Sequence, residues 1–268
     1  MDQPIGVIDS GVGGLTVASE LMRQLPKERL IYLGDTLRCP YGPRPKEEVI
    51  QYTLEMVNFL LKQDIKLLVI ACNTATAFTL ELLQEQLDIP VIGVIQPGAR
   101  AAIKMTKNMQ IGVIGTEGTI RSRAYPDALH GINSEIEVQG LSCPDFVPMV
   151  EQGVITGPEA YQVVETALQS IKEKQIIDTL ILGCTHYPLL KDTIQAVMGE
   201  DVHIISSGEE TAREVSVILG YHQTLYEGDR SPKHRFYTTG PWEIFERIAI
   251  QWLDIPINII ENANIETN

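Results

Sequence analysis

Apolar residues alternate along this chain between short dense runs and longer stretches in which they return every third or fourth position, the two signatures of buried strands and amphipathic helices. Ile5 to Asp9 is the first run and ends in DSGVGG. Leu15, Ala18, Leu21, Met22 and Leu25 then follow at helical spacing until Pro26 stops the helix. Runs at Leu30 to Leu33, Leu67 to Ala71 and Val91 to Ile95 read as three further strands, with helices over Lys46 to Gln63 and Thr74 to Leu87. Between the second strand and the helix from Lys46 lies GDTLRCPYGPRPK, whose three prolines and two glycines describe a loop. A long loop at the carboxyl end of a strand is a place where function collects.

The pattern then starts again. After Gln96 and Pro97 a helix leads to Gln110 to Gly115, where IGVIGTEGT repeats the logic of IGVIDSGVG. LLVIACNTAT, from Leu67, is echoed by TLILGCTHYP, from Thr179. Ile111 lies 106 residues after Ile5 and Cys184 lies 112 after Cys72, so two independent pairs of motifs share nearly one offset and imply a divergent internal duplication. Strands of the second half are expected at Gln110 to Ile114, Glu135 to Gln139, Thr179 to Leu182 and His203 to Ile205. An irregular stretch, LSCPDFVPMVEQGVITGP, precedes a helix from Glu159 to Lys174. From Gly208 the chain reads as a helix to Leu219, a polar loop through Tyr226 to Lys233, a strand at Arg235 to Thr238, a helix from Trp242 to Trp252 and a last apolar run at Ile257 to Ile260. These elements are expected to complete the first sheet.

The fold class is therefore α/β, with two pseudo-symmetric domains, each a mostly parallel sheet flanked by helices. The first is discontinuous, 1–96 and 208–268, and the second is 97–207. In open sheets of this kind ligands bind beyond the carboxyl ends of the strands, so the active site is expected in the cleft between the domains, where Asp9, Ser10, Cys72, Thr116 and Cys184 fall.

Composition narrows the chemistry. Hydrophobic residues make up 44% and charged residues 21% of the 268, an ordinary globular balance with no apolar stretch long enough to span a bilayer. No basic segment precedes an apolar run at the N-terminus, so the expected location is the cytoplasm. The formal charge of -14 repels a phosphate backbone and argues against nucleic acid as the primary ligand. An anionic small-molecule substrate must then be held by local backbone amides or helix ends. A homodimer stays open, with no patch in the sequence to mark it.

Of four cysteines none forms a CxxC pair, so free thiols are expected rather than a disulfide framework or zinc knuckle. A lone cysteine at a strand end usually packs as a small buried residue. Duplication gives Cys72 and Cys184 another meaning: each is expected near a helix N-terminus, which lowers a thiol's pKa and suits it to act as a base or nucleophile. Asp9 and Ser10 stand at the first strand tip. His186, two residues after Cys184, can orient that thiol or serve as a cap. The glycines of DSGVGG suit either an anion cradle or tight strand-to-helix packing, and without GxGxxG or a Walker lysine they do not specify a nucleotide. Cys39 and Cys143 have no duplicated partner and read as structural; His130, His203, His222 and His234 fall in no constellation. Cys72, Cys184 and His186 offer three metal ligands but no fourth, so no metal is expected. Two thiols on opposite sides of one ligand can remove a proton from one face of a carbon and replace it on the other, inverting the centre. No lysine-containing cofactor site is recognisable, so a carbanion would need fixed donors in a closed cleft. A two-lobed binding protein and a redox pair remain alternatives to that reading.

Together, IGVIDSGVGGLTV, YLGDTLRCPYGPRP, ACNTAT, IGVIGTEGTI and LGCTHYPLL, in that order over nearly the whole length, resemble the bacterial glutamate racemases, of the cofactor-independent amino-acid racemase superfamily. The resemblance implies interconversion of L- and D-glutamate without pyridoxal phosphate, supplying D-glutamate for peptidoglycan. It implies that Cys72 and Cys184 are the acid/base thiols, acting on the D- and L-enantiomer respectively, with Asp9 and His186 assisting them. Ser10, Tyr41, Gly42, Asn73, Thr74, Thr116 and Thr185 would hold the amino acid's polar groups, and Glu151 would be an accessory acid. The same strand-tip motifs leave aspartate open as an alternative substrate.

Overall fold

The inner strands of the first sheet send alternate side chains into two separate cores, which is why their sequences read as unbroken apolar runs. Ile5, Val7, Leu30, Tyr32, Leu67 and Val69 meet Leu15, Leu21, Val215, Leu219 and Phe245 on one face. Ile8, Ile31, Leu33, Leu68 and Ile70 meet Val49, Met56, Leu60 and Leu83 on the other. The structure, a computed structural model, describes residues 1–174, 176–229, 231–253 and 259–265.

Among these residues the strands are β1 (Ile5–Asp9), β2 (Leu30–Gly34), β3 (Leu67–Ile70), β4 (Val91–Gly93), β5 (Gln110–Gly115), β6 (Glu137–Ser142), β7 (Thr179–Gly183), β8 (His203–Ser206), β9 (Arg235–Thr238) and β10 (Ile260–Asn262). They form a six-stranded sheet in the order β10-β9-β2-β1-β3-β4 and a four-stranded sheet in the order β6-β5-β7-β8. All the pairings are parallel. The order β2-β1-β3-β4 is repeated as β6-β5-β7-β8, the pseudo-symmetry that the duplicated motifs imply. In the second sheet Leu180 and Leu182 face Leu168, Ile171 and Ile194, and Ile111, Val113 and Ile181 face Ala99, Tyr125 and Leu129.

Several boundaries differ from the sequence expectation. β4 stops at Gly93 and a helix already runs over Ile95–Met105, with Pro97 in its first turn, where a missing N–H costs no intrahelical bond. β6 begins at Glu137 rather than Glu135 and continues through Gly140 to Ser142; it is a sheet edge with half-exposed side chains, so no apolar run marks it. The stretch expected to be irregular contains a helix, Phe146–Glu151, which buries Phe146, Val147, Met149 and Val150. Helices Glu117–Ser122, Ala124–His130 and Lys191–Met198 add to the expected set. The first two residues of the apolar run expected at 257–260 lie outside the described residues. No helix among the described residues is long and apolar enough to cross a membrane.

Candidate active site

Register alone brings the two cysteines to equivalent places. Ile8 of β1 pairs with Ile70 of β3, and Ile114 of β5 pairs with Leu182 of β7. Two residues further on lie Cys72 and Cys184, each 6% exposed. Both border one small cavity lined also by Ser10, Tyr41, Gly42, Asn73, Thr74, Thr116, Thr185 and His186, with Pro40, Val147 and Gly183 completing the wall. Of the remaining candidates, Asp9 lies behind this wall and Glu151 beside it. Among the described residues no group of three or more His, Cys, Asp and Glu is placed to hold a metal ion.

The cavity is built by contacts from one half of the chain to the other. Gly118 N donates to Gly42 O at 2.8 Å. The hydroxyls of Thr74 and Thr116 lie 2.8 Å apart, and Thr119 closes a triangle with both at 3.1 Å. Thr16 donates to the carbonyl of Thr185 at 3.1 Å, and the Thr185 hydroxyl donates to Asp9 Oδ2 at 3.3 Å. Gly13 makes this approach feasible: a Cβ there would stand 2.5 Å from both Thr185 Oγ1 and His186 Nδ1. Gly13 of DSGVGG thus serves close packing of the two turns, while Gly11 lies against Cys39 and Gly14 against Asp9 and Tyr32. Tyr32, whose hydroxyl donates to Gly11 O at 2.7 Å, fixes the same turn from beneath.

A family model for Asp/Glu/Hydantoin racemases matches residues 5–215. The chain belongs to that family. A glutamate racemase from Oceanobacillus iheyensis is 67% identical, over 100% of this chain and 99% of the relative. Among solved structures, glutamate racemase isoform RacE1 from Bacillus anthracis superposes with a TM-score of 0.93 at 52% identity, covering 99% of both chains. The glutamate racemase of Francisella tularensis in complex with D-glutamate gives 0.92 at 35% identity, covering 100% of this chain and 99% of that one.

Within this Asp/Glu/hydantoin racemase framework the two thiols sit in unlike surroundings. Helix Asn73–Gln86 starts directly after Cys72, whereas Cys184 is followed by the short 3-10 turn Tyr187–Leu190, with Pro188 in it, before helix Lys191–Met198. The expected helix end is therefore present at one thiol only, and there it does not prevail. Burial, with the negative Asp9 nearby, pushes the Cys72 thiol up to about 12, against the Ala75 amide and the Ser10 hydroxyl, which favour the thiolate. At the other thiol, His186 Nδ1 lies 3.9 Å from Cys184 Sγ and its Nε2 lies 3.3 Å from Glu151 Oε1. Burial opposes the positive imidazole, but Cys184, Glu151 and Asp9 together outweigh it and raise the His186 pKa. Burial works against the Glu151 carboxylate too, and the hydrogen bond and charge of His186 carry its pKa below the usual value.

Three features escape sequence reasoning. Cys39, set aside as structural, has its Sγ 3.4 Å from Glu151 Oε1, so the proline-rich loop of the first half touches the His186 network. Tyr41 borders the cavity, yet its hydroxyl donates to Asp35, which leaves its main chain as the polar part available inside. Tyr125 donates to Asn73 Oδ1 at 2.7 Å. The Cys39 and Tyr125 contacts join residues far apart in the chain that no motif links, whereas Tyr41 and Asp35 share one loop, whose spacing does not show which way the tyrosine hydroxyl points. Cys143, also read as structural, is 1% exposed, and its carbonyl accepts from the Tyr187 hydroxyl at 2.8 Å.

Proposed function

We propose that this enzyme interconverts L- and D-glutamate by a two-thiol proton transfer at the α carbon, without a cofactor. The observation that carries the reading is the pair of buried cysteines at register-equivalent strand ends of two like sheets, bordering a single cavity. Family membership, and close relatives that are glutamate racemases, supply the substrate. The two lobes are assigned as 1–96 with 208–268, and 97–207. The enzyme acts in the cytoplasm, and its D-glutamate supplies peptidoglycan synthesis, as the family resemblance implies.

Racemisation requires one sulfur charged and the other protonated at the start of each turnover. Cys72, held as a thiol by burial, is set to donate. In the proposed starting state Cys184 is the charged sulfur, and His186, held positive, has its Nδ1 3.9 Å from it. In that state Cys184 takes the α proton of L-glutamate, and Cys72 gives its own proton to the opposite face, leaving the D-enantiomer and the charges exchanged between the sulfurs. The reverse reaction starts from that exchanged state. Ser10, Asn73, Thr74, Thr116, Thr185 and the main chain at Tyr41 and Gly42 hold the amino acid's polar groups. Asp9 and Glu151 act through Thr185 and His186.

Incubation in deuterated water with either enantiomer is the deciding experiment. Solvent deuterium is expected at the α carbon of the opposite enantiomer, and product that keeps its original α hydrogen would sink the mechanism. Cys72→Ala and Cys184→Ala are each expected to lower turnover by at least ~10³-fold, at the upper end of what one acid/base group supplies. Aspartate, offered in parallel, is expected to turn over far more slowly than glutamate.

A further inference from the structure

We propose that Tyr125, which stands outside all the strand-tip motifs, fixes the polarity that Asn73 presents to the cavity and so tunes the site for a carboxylate. The proposal rests on the reading of the cavity as a glutamate site. An asparagine side chain carries an acceptor oxygen and a donor NH2, and a half-turn about its last bond exchanges them. Only the NH2 can face an anion favourably.

The Tyr125 hydroxyl donates to Asn73 Oδ1 at 2.7 Å in a buried bond. With its oxygen turned to the tyrosine, the polar group that Asn73 has left for the cavity it borders is the NH2. Tyr125 cannot readily reverse this bond. Its side chain is 1% exposed and is also hydrogen-bonded to Ser207. Gly98 packs over both, and a Cβ there would stand 3.4 Å from the Tyr125 hydroxyl and 3.2 Å from Ser207 Cβ. The result is a relay from helix Ser207–Tyr221 through helix Ala124–His130 to the first residue of helix Asn73–Gln86. Tyr125 is a positioning residue: it acts on substrate through the amide of Asn73. Without its hydroxyl the amide is free to turn its oxygen towards a carboxylate, which repels it.

Steady-state kinetics of Tyr125→Phe, in both directions, test this. Phenylalanine keeps the ring and removes only the donor. KM for both enantiomers is expected to rise about tenfold, the worth of one buried hydrogen bond, with kcat within about threefold of the parent. The same substitution in an Asn73→Ala background is expected to leave KM, or Kd for D-glutamate where turnover is too slow, unchanged, because the route to substrate has been removed. Ser207→Ala, which loosens the tyrosine without touching its ring, is expected to raise KM about threefold in the parent and not at all in Asn73→Ala; it serves if Tyr125→Phe does not fold. An unmoved KM in the parent, or an equal rise in both backgrounds, overturns the proposal, the second because it marks a packing role. If the parent fails to racemise glutamate, the reading of the site falls and the proposal with it. A parent that racemises, combined with an unmoved KM, overturns the proposal alone.

Discussion

Asp9 has no exposed surface, yet it is a carboxylate at the tip of β1. Burial raises its pKa above 3.8, against the His186 charge and the Gly14, Gly11 and Thr185 donors. The folded protein therefore binds this proton more tightly than the unfolded chain. Asp9 favours folding at low pH, and that contribution is lost as pH rises from the unfolded value near 3.8 through the higher folded one. Asp9→Asn removes the buried charge and is expected to add about 1 kcal/mol to unfolding free energy at pH 7. It is also expected to flatten the decline in stability across that range and to lower kcat by about tenfold or more. Urea melts across pH 4–8 check it; a less stable Asn variant would show that the bonds to Gly11 and Thr185 and the His186 charge matter more than burial. At this scale the sequence shows which residues stand at strand tips, because period and position mark them. It hides burial, and so the direction in which the Cys72 thiol shifts. It also hides contacts such as Cys39 to Glu151 and Tyr125 to Asn73, whose partners are 112 and 52 residues apart.

The strand-to-helix turns are where the two halves of the chain meet, and Gly13 is one of the tight points between them. A methyl group at 13 has Thr185 Oγ1 and His186 Nδ1 at 2.5 Å, and both belong to side chains held by other bonds. Gly13→Ala is expected to cost about 1–3 kcal/mol, as overpacking does. Because the displaced atoms belong to the CTH turn, it is also expected to cut kcat/KM at least tenfold, a loss near 1.4 kcal/mol of transition-state stabilisation. Denaturant melts and kinetics on one preparation decide it; wild-type values for both would mean that the turn can back away at no cost. Elements buried on both faces, such as β1, β3 and β7, announce themselves in sequence by continuous apolar runs. Elements that escape this signal are edge or short pieces. β6 carries half-exposed side chains, and Glu117–Ser122 and Ala124–His130 are too brief to establish a helical period.

For the whole molecule the governing quantity is charge. Thirty-five acidic residues against 21 basic ones give -14, while glutamate itself carries net negative charge at neutral pH. Repulsion at long range depletes such a substrate near the surface, and added salt screens it over a Debye length that falls from about 30 Å at 0.01 M to about 8 Å at 0.15 M. Donors inside the cavity are closed off from bulk ions and should lose little to screening. The expected signature is a rise in kcat/KM of roughly twofold between 10 and 200 mM NaCl with kcat nearly flat, because salt alters arrival and not the bound state. Lys46 and Arg121 supply the counter-argument: they line a surface groove with Pro43, the neighbour of cavity-lining Gly42, where two cations can attract substrate locally. A fall in kcat/KM with salt, abolished by Lys46→Gln with Arg121→Gln, would show that this local pair steers glutamate in despite the net charge. A rise in both the parent and the double variant would assign the field to the molecule as a whole.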